Sequence, residues 1–196
     1  MTLPLFAMRL RRGALMIAFA SAAFAGSIAS ADGARPHPMV ASTDPCAASP
    51  ALVAAAVARE PGWSPVRLND LVADDLALWK ADRPDACPGF ASARLGVGTG
   101  PAFAIALLRT SSRGAEEKVL LLIPEGDRVQ ERLLARPHTI THPEVVWRTG
   151  PGQTRAWDGG PTIDVAHDSI IWEAIEARAQ QFFFVGGQLR SVVTSN

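Results

Sequence analysis

The chain has 196 residues, and its 19 basic side chains are matched by 19 acidic ones. A balance of this kind excludes nucleic acid and an anionic membrane surface as expected partners. The two cysteines, Cys46 and Cys87, stand far from C-x-x-C spacing, which excludes a thioredoxin-like motif and a zinc knuckle.

In chain order the first element is an export signal. Arg9, Arg11 and Arg12 form a positive region ahead of the apolar stretch Gly13 to Ala25, and Ala29-Ser30-Ala31 supplies a small-x-small cleavage site. Residues 1–31 are therefore expected to be a signal peptide, and the mature protein to be periplasmic or secreted with no stable membrane span. An uncleaved anchor is the competing reading, because weak apolar character continues to Ala31 and nears the roughly 18 residues that a span requires. Ser21, Gly26, Ser27 and Ser30 dilute that run, and no cysteine follows it at once as a lipoprotein would need. Cleavage leaves roughly 165 residues, enough for one domain of ~100–200. It also removes three arginines and no acid, so the mature chain is slightly acidic. An even pair of cysteines in an exported chain predicts one disulfide, Cys46 to Cys87, with free thiols as the alternative.

Residues 32–48 carry three prolines and little periodic hydrophobicity, the pattern of an extended lead-in that is disordered to about Asp44. Ser49-Pro50 then offers a cap and a proline at the first helical position, predicting a helix over Ala51 to Arg59 that Pro61-Gly62 ends. A second helix is expected over Ala73 to Ala81, with Leu76 and Trp79 at helical spacing and Asp74 and Asp75 in its first turn. From Phe90 onward, apolar and β-branched runs alternate with turn residues. This predicts strands near Ala91 to Leu95, Ala102 to Arg109, Lys118 to Ile123, Arg128 to Leu134, Glu144 to Thr149, Ser169 to Ile175, Gln181 to Val185 and Gln188 to Val193. Glu125-Gly126-Asp127 and Gly186-Gly187 are hairpin turns in this reading. Ser169 to Gln181 stays open between strand and helix, because Ile171, Ile175 and Arg178 also fit one helix face. The expected fold is α+β: a single domain over 49–196, with two short N-terminal helices packed on a mostly antiparallel β-sheet.

The segment Ala86-Cys87-Pro88-Gly89-Phe90, running into Ala93-Arg94-Leu95-Gly96-Val97-Gly98-Thr99-Gly100-Pro101-Ala102-Phe103-Ala104-Ile105-Ala106-Leu107-Leu108, resembles a group of small secreted bacterial proteins of unknown function. In that group a similar cysteine segment leads into a strand, loop, strand unit like the FG-GAP repeat. Gly150-Pro151-Gly152-Gln153 and the terminal Gly187 to Val193 fit the same resemblance. Where an FG-GAP loop would carry calcium-binding aspartates, this chain has Gly96, Gly98 and Gly100. The resemblance thus implies a strand hairpin and no ion.

Among residues that carry chemistry, His138-Thr139-Ile140-Thr141-His142 with His167-Asp168 has a composition that zinc accepts. Arg136-Pro137 and Pro143 flank the first two histidines and predict a solvated loop between strands, not a ligand-bearing helix, and Thr139 stands where an H-E-x-x-H motif has glutamate. No G-x-S-x-G elbow is present, and Ser111 and Ser112 fall in a polar turn. Asp158, Asp164, Asp168, Glu173 and Glu176 are numerous enough for paired-carboxylate chemistry, but acids scattered among turns are expected to be solvated surface. Gly96 to Gly100 lacks both the Lys-Ser/Thr of a P-loop and dinucleotide-fingerprint spacing. Trp63, Trp79, Trp147, Trp157, Trp172 and Phe182-Phe183-Phe184 supply a core buried under the helices, with an exposed recognition patch as the alternative. The triplet is apolar on both faces of its strand, so that strand is either central or meets a partner.

These readings lead to an exported, non-enzymatic module without a cofactor, which binds a protein, an envelope component or a small ligand; an inhibitor or immunity-type role is one version. The alternative is a small periplasmic metal-dependent hydrolase using His138, His142 and His167.

Overall fold

The computed structural model describes residues 44–195. The expected signal peptide and the part of the lead-in before Asp44 lie outside them. Helix α1 (Ala51–Ala58) begins directly after Pro50, whose extended backbone (φ −54°, ψ 144°) hands the chain into the first turn. After the short strand β1 (Ser64–Pro65) and a 3-10 turn over Leu68–Asp70, helix α2 (Ala73–Asp82) opens with Asp74 and Asp75 against its positive end. It closes as Arg83 N–H bonds to the Trp79 carbonyl just before Pro84. Cys46 and Cys87 are joined in a disulfide.

The rest of the described chain is antiparallel sheet. Strands β2 (Phe90–Ala93), β3 (Ala102–Ser111), β4 (Gly114–Glu125) and β5 (Arg128–Ile140) form the first sheet with β1, in the order β1-β3-β4-β5, and β2 also pairs with β3. The second sheet has the order β11-β10-β9-β6, built from β6 (Val145–Thr149), β9 (Ser169–Glu173), β10 (Ala179–Val185) and β11 (Gln188–Ser195). Between β6 and β9, the strands β7 (Gly152–Arg155) and β8 (Thr162–Val165) pair as a separate hairpin.

Strand alternation sorts the core into two layers. Ala104, Ala106, Val119, Leu121 and Ile123 face Ile170, Trp172, Phe182 and Phe184 of the second sheet, with Trp79 of α2 at the margin. Their neighbours Ile105, Leu107, Leu120 and Leu122 point the other way and cluster with Val53 and Ala56 of α1. Strands β3 and β4 are therefore apolar on both faces because both faces are covered. Gly89 marks a close approach of two backbones, since a Cβ there would strike the main chain of Val66.

The two hairpin signals are realised. Gly126 (φ 62°) turns β4 into β5, and Gly186 and Gly187 (φ 57° and 76°) turn β10 into β11, conformations that carry no steric penalty at glycine. Other expectations are corrected. Strand β4 begins at Gly114, four residues before Lys118, and β5 continues past Leu134 through Pro137 to Ile140. Proline is tolerated there because β5 is an edge strand, and because the register jumps from Glu117↔His138 to Val119↔Ala135, leaving Arg136 and Pro137 bulged opposite Lys118. His138 thus lies in a strand and not in the solvated loop expected from its flanking prolines. The open segment resolves into β9, a turn, and the start of β10, with no helix. Strands β7 and β8 were not anticipated from their sequence. The Phe182-Phe183-Phe184 triplet lies on a central strand, but sheet and hairpin cover it where helices were expected. Phe182 and Phe184 enter the core, and on the opposite face, which Phe183 shares with Gln181, the hairpin docks through a 2.6 Å bond from Thr154 Oγ1 to Gln181 Oε1. Among the described residues no helix is long and apolar enough to cross a membrane.

Candidate functional site

Alternation along β4 places one acid on the core face. Glu117 has the same parity as Val119, Leu121 and Ile123, and it is fully buried between the two sheets. Its Oε2 accepts the backbone N–H of Glu144 at 2.8 Å and its Oε1 accepts the Trp172 indole N–H at 3.2 Å. Burial pushes its pKa up to about 8; the nearby Glu144 carboxylate adds to the rise, while the two hydrogen bonds oppose it. Glu117 is thereby held mainly in its protonated form at neutral pH.

Glu144, at the entrance to β6, is the second buried acid. Burial raises its pKa, against the opposing fields of His138 and Arg178. Its Oε2 stands 3.6 Å from His138 Nε2 and its Oε1 stands 3.8 Å from Arg178 Nη2. The His138 Nδ1 lies 3.1 Å from the Arg136 carbonyl, which only accepts, so this nitrogen carries the hydrogen and Nε2 is directed at Glu144. Among the described residues neither His138 Nε2 nor Glu144 Oε2 has a hydrogen-bond partner. Trp172 organises the group: His138 meets its ring edge-on at 5.5 Å, and the Arg178 guanidinium lies over it at 5.0 Å.

Arg178 connects this buried group to the surface. It closes the tight β9–β10 connection, in which the Ala174 N–H bonds to the Arg178 carbonyl (2.8 Å) and Glu176 adopts a left-handed φ of 59°. Its side chain is 45% exposed and makes no hydrogen bond among the described residues. With Ala156, Trp157, Asp158 and Val193 it lines an open cleft of about 420 Å³. The turn opposite is well fixed. Gly159 N–H bonds to the Ala156 carbonyl, Trp157 N–H bonds to the Val193 carbonyl at 2.7 Å, and the Arg155 guanidinium folds back onto the carbonyls of Gly159 and Gly160. On that turn the Trp157 side chain stands 62% exposed, whereas Trp79 and Trp172 are buried and Trp63 and Trp147 are partly so.

The residues expected to carry chemistry are dispersed. His138 belongs to the buried group; His142 lies in the loop that follows and shares with His138 and Glu144 a smaller cleft of about 290 Å³. His167 lies between β8 and β9, its ring filling the space that a side chain at Gly96 would need. Among the described residues no group of three or more His, Cys, Asp or Glu is placed to hold a metal ion. Of the expected surface acids, Asp168 binds the Arg94 N–H at 2.9 Å, Glu173 accepts the Trp147 indole N–H at 2.7 Å, and Asp164 accepts from Gln153 at 2.9 Å. Asp158 alone of that set lines the cleft beside Trp157. Glu117, Glu144 and Arg178 did not stand out as a site in the sequence; the signal for Glu117 was its parity with the apolar positions of β4. No family model matches the chain, and no curated protein or solved structure matches it significantly.

Proposed function

We propose that this chain is an exported binding module whose ligand occupies the cleft between Trp157 and Arg178. The observation that carries the reading is the exposure of Trp157 on a hydrogen-bonded turn, in one cleft with a guanidinium that makes no hydrogen bond among the described residues. A large indole left in water forgoes burial that stabilises a fold, and the cleft falls within the size range of small-molecule sites. Holding both walls in place before binding reduces the ordering cost of association. The buried acids serve as support. Glu117 has both oxygens occupied and no exposed surface, so it is out of reach of a cleft occupant and acts by fixing Trp172, on which Arg178 rests. Export is supported by the pattern over residues 1–31 and by the Cys46–Cys87 disulfide. The β2–β3 unit, by its resemblance, is an FG-GAP-like hairpin used for structure.

A library of small fragments titrated into ¹⁵N-labelled protein tests this reading. At least one fragment is expected to shift the Trp157 indole and Arg178 side-chain resonances saturably, and to lose that effect in Trp157→Ala. If every saturable shift maps elsewhere, the cleft is not the binding site.

A further inference from the structure

We infer that the occupant of the Trp157 cleft is a free α-amino acid, bound as its zwitterion with a carboxylate toward Arg178 and an ammonium toward Asp158. The inference rests on the cleft being the binding site and adds the class of ligand. Two opposite charges line this one cleft, yet Asp158 and Arg178 form no ion pair with each other, and Asp158 makes no side-chain hydrogen bond or ion pair among the described residues. Among the described residues the acid within 4 Å of the Arg178 guanidinium is Glu144, at 3.8 Å, beyond hydrogen-bond length. The Arg178 guanidinium carbon lies 5.0 Å from the Trp172 ring centroid, a contact that uses none of its N–H groups and leaves the fork available to a planar carboxylate. The other described residues of the lining, Ala156, Trp157 and Val193, are apolar.

The other ligand chemistries fit less well. A purely anionic molecule would meet Asp158, a purely cationic one would meet Arg178, and a neutral one would cover both charges and supply neither with a partner. A molecule bearing both charges on an apolar body satisfies all parts of the lining together.

The test uses the whole protein at neutral pH and follows the Trp157 indole resonance by NMR, with calorimetry for affinity. The probes are glycine, L-leucine and L-phenylalanine, each with its N-acetyl and amide derivatives, and O-phosphoethanolamine. At least one free amino acid is expected to bind tenfold or more tightly than both of its singly charged derivatives. Asp158→Asn should abolish the advantage over the N-acetyl form, and Arg178→Gln the advantage over the amide. Asp158 is exposed on a turn, so its variant keeps the test valid if Arg178→Gln unfolds, and Arg178→Lys then retains the charge. If fragments still shift Trp157 but no amino acid outbinds its derivatives, the ligand class is wrong and the binding site stands. If no compound of either set moves Trp157, both fail. Tighter binding of O-phosphoethanolamine than of every amino acid would assign the site to a lipid headgroup and overturn the amino-acid source.

Discussion

The Glu117 carboxyl receives the backbone N–H of Glu144 at 2.8 Å, so a buried acid on β4 fixes the chain at the entrance to β6 in the opposite sheet. The same carboxyl accepts the Trp172 indole from β9. Replacing it with leucine keeps the volume but leaves two buried donors unpaired, each costing about 1–3 kcal/mol. Glu117→Leu is therefore expected to lower the urea midpoint by the equivalent of roughly 2 kcal/mol or more, and Glu117→Gln, which keeps one acceptor, by less. Equal midpoints for the leucine variant and the parent would show that these bonds contribute nothing net.

The raised pKa of Glu117 sets an unusual dependence of stability on pH. Its folded value of about 8 lies above the ordinary 4.5, so between these values the folded protein holds a proton that the unfolded chain has released. Stability is then fully present below the unfolded value and is lost as pH rises toward the folded one, by up to about 1.4 kcal/mol per pH unit for one proton. Burial raises Glu144 in the same direction. The melting temperature is expected to climb as pH falls from 8 to 5, and the slope to flatten in Glu117→Gln. A parent protein whose melting temperature falls over that range would contradict the assignment.

Much of this architecture was legible in the chain, and what was missed follows a pattern. Local chemistry showed through: Pro50 and Pro84 bound the helices, glycine pairs mark the hairpins, and two cysteines in an exported pattern imply their bridge. Features set by long-range neighbours did not. The polar strands β7 and β8, four residues each, are bounded by glycine and proline and read as loop, and they are strands because they pair with each other and dock on Gln181. Pro137 read as a strand end because the edge position that tolerates it is a property of the sheet. Glu116-Glu117-Lys118 read as the polar start of a strand, although continuing the alternation of Val119, Leu121 and Ile123 backwards points Glu117 inward. The meeting of Trp157 and Arg178 joins two loops far apart in sequence, and no local pattern announces it.

Gly89→Ala is expected to be among the most damaging single-methyl additions. The new Cβ would meet the main chain of Val66, where no flexible side chain can yield, and overpacking of this kind costs about 1–3 kcal/mol. Gly100→Ala is the matched control: nothing lies within 4 Å of the added atom, so its unfolding midpoint should stay near that of the parent. Similar losses in the two variants would show that the contact with Val66 is not their cause.

Opening the Cys46–Cys87 bridge should also be costly, because the link spans a sequence separation of 41 residues. Chain-entropy reasoning for a loop of that size gives about 4 kcal/mol, from which any strain in the native bridge subtracts. Native, unreduced protein should show no reactive thiol, and the double variant Cys46→Ser, Cys87→Ser should unfold at markedly lower urea. Rapid alkylation of both cysteines without a reductant would count against the bridge.

His138 and His142 should separate on mutation, although sequence alone sets them in one segment. His142 is exposed in a loop, and His142→Ala should stay within about 0.5 kcal/mol of the parent, as surface substitutions usually do. His138 packs its edge on Trp172 and faces Glu144 at 3.6 Å, so His138→Ala removes an aromatic contact and leaves a buried acid without its nearest partner. A loss on the order of 1–2 kcal/mol is expected, with a change in near-ultraviolet circular dichroism from the altered surroundings of Trp172. If both variants behave alike, His138 is a surface residue in effect, and the buried group reduces to the contacts of Glu117 with Glu144 and Trp172.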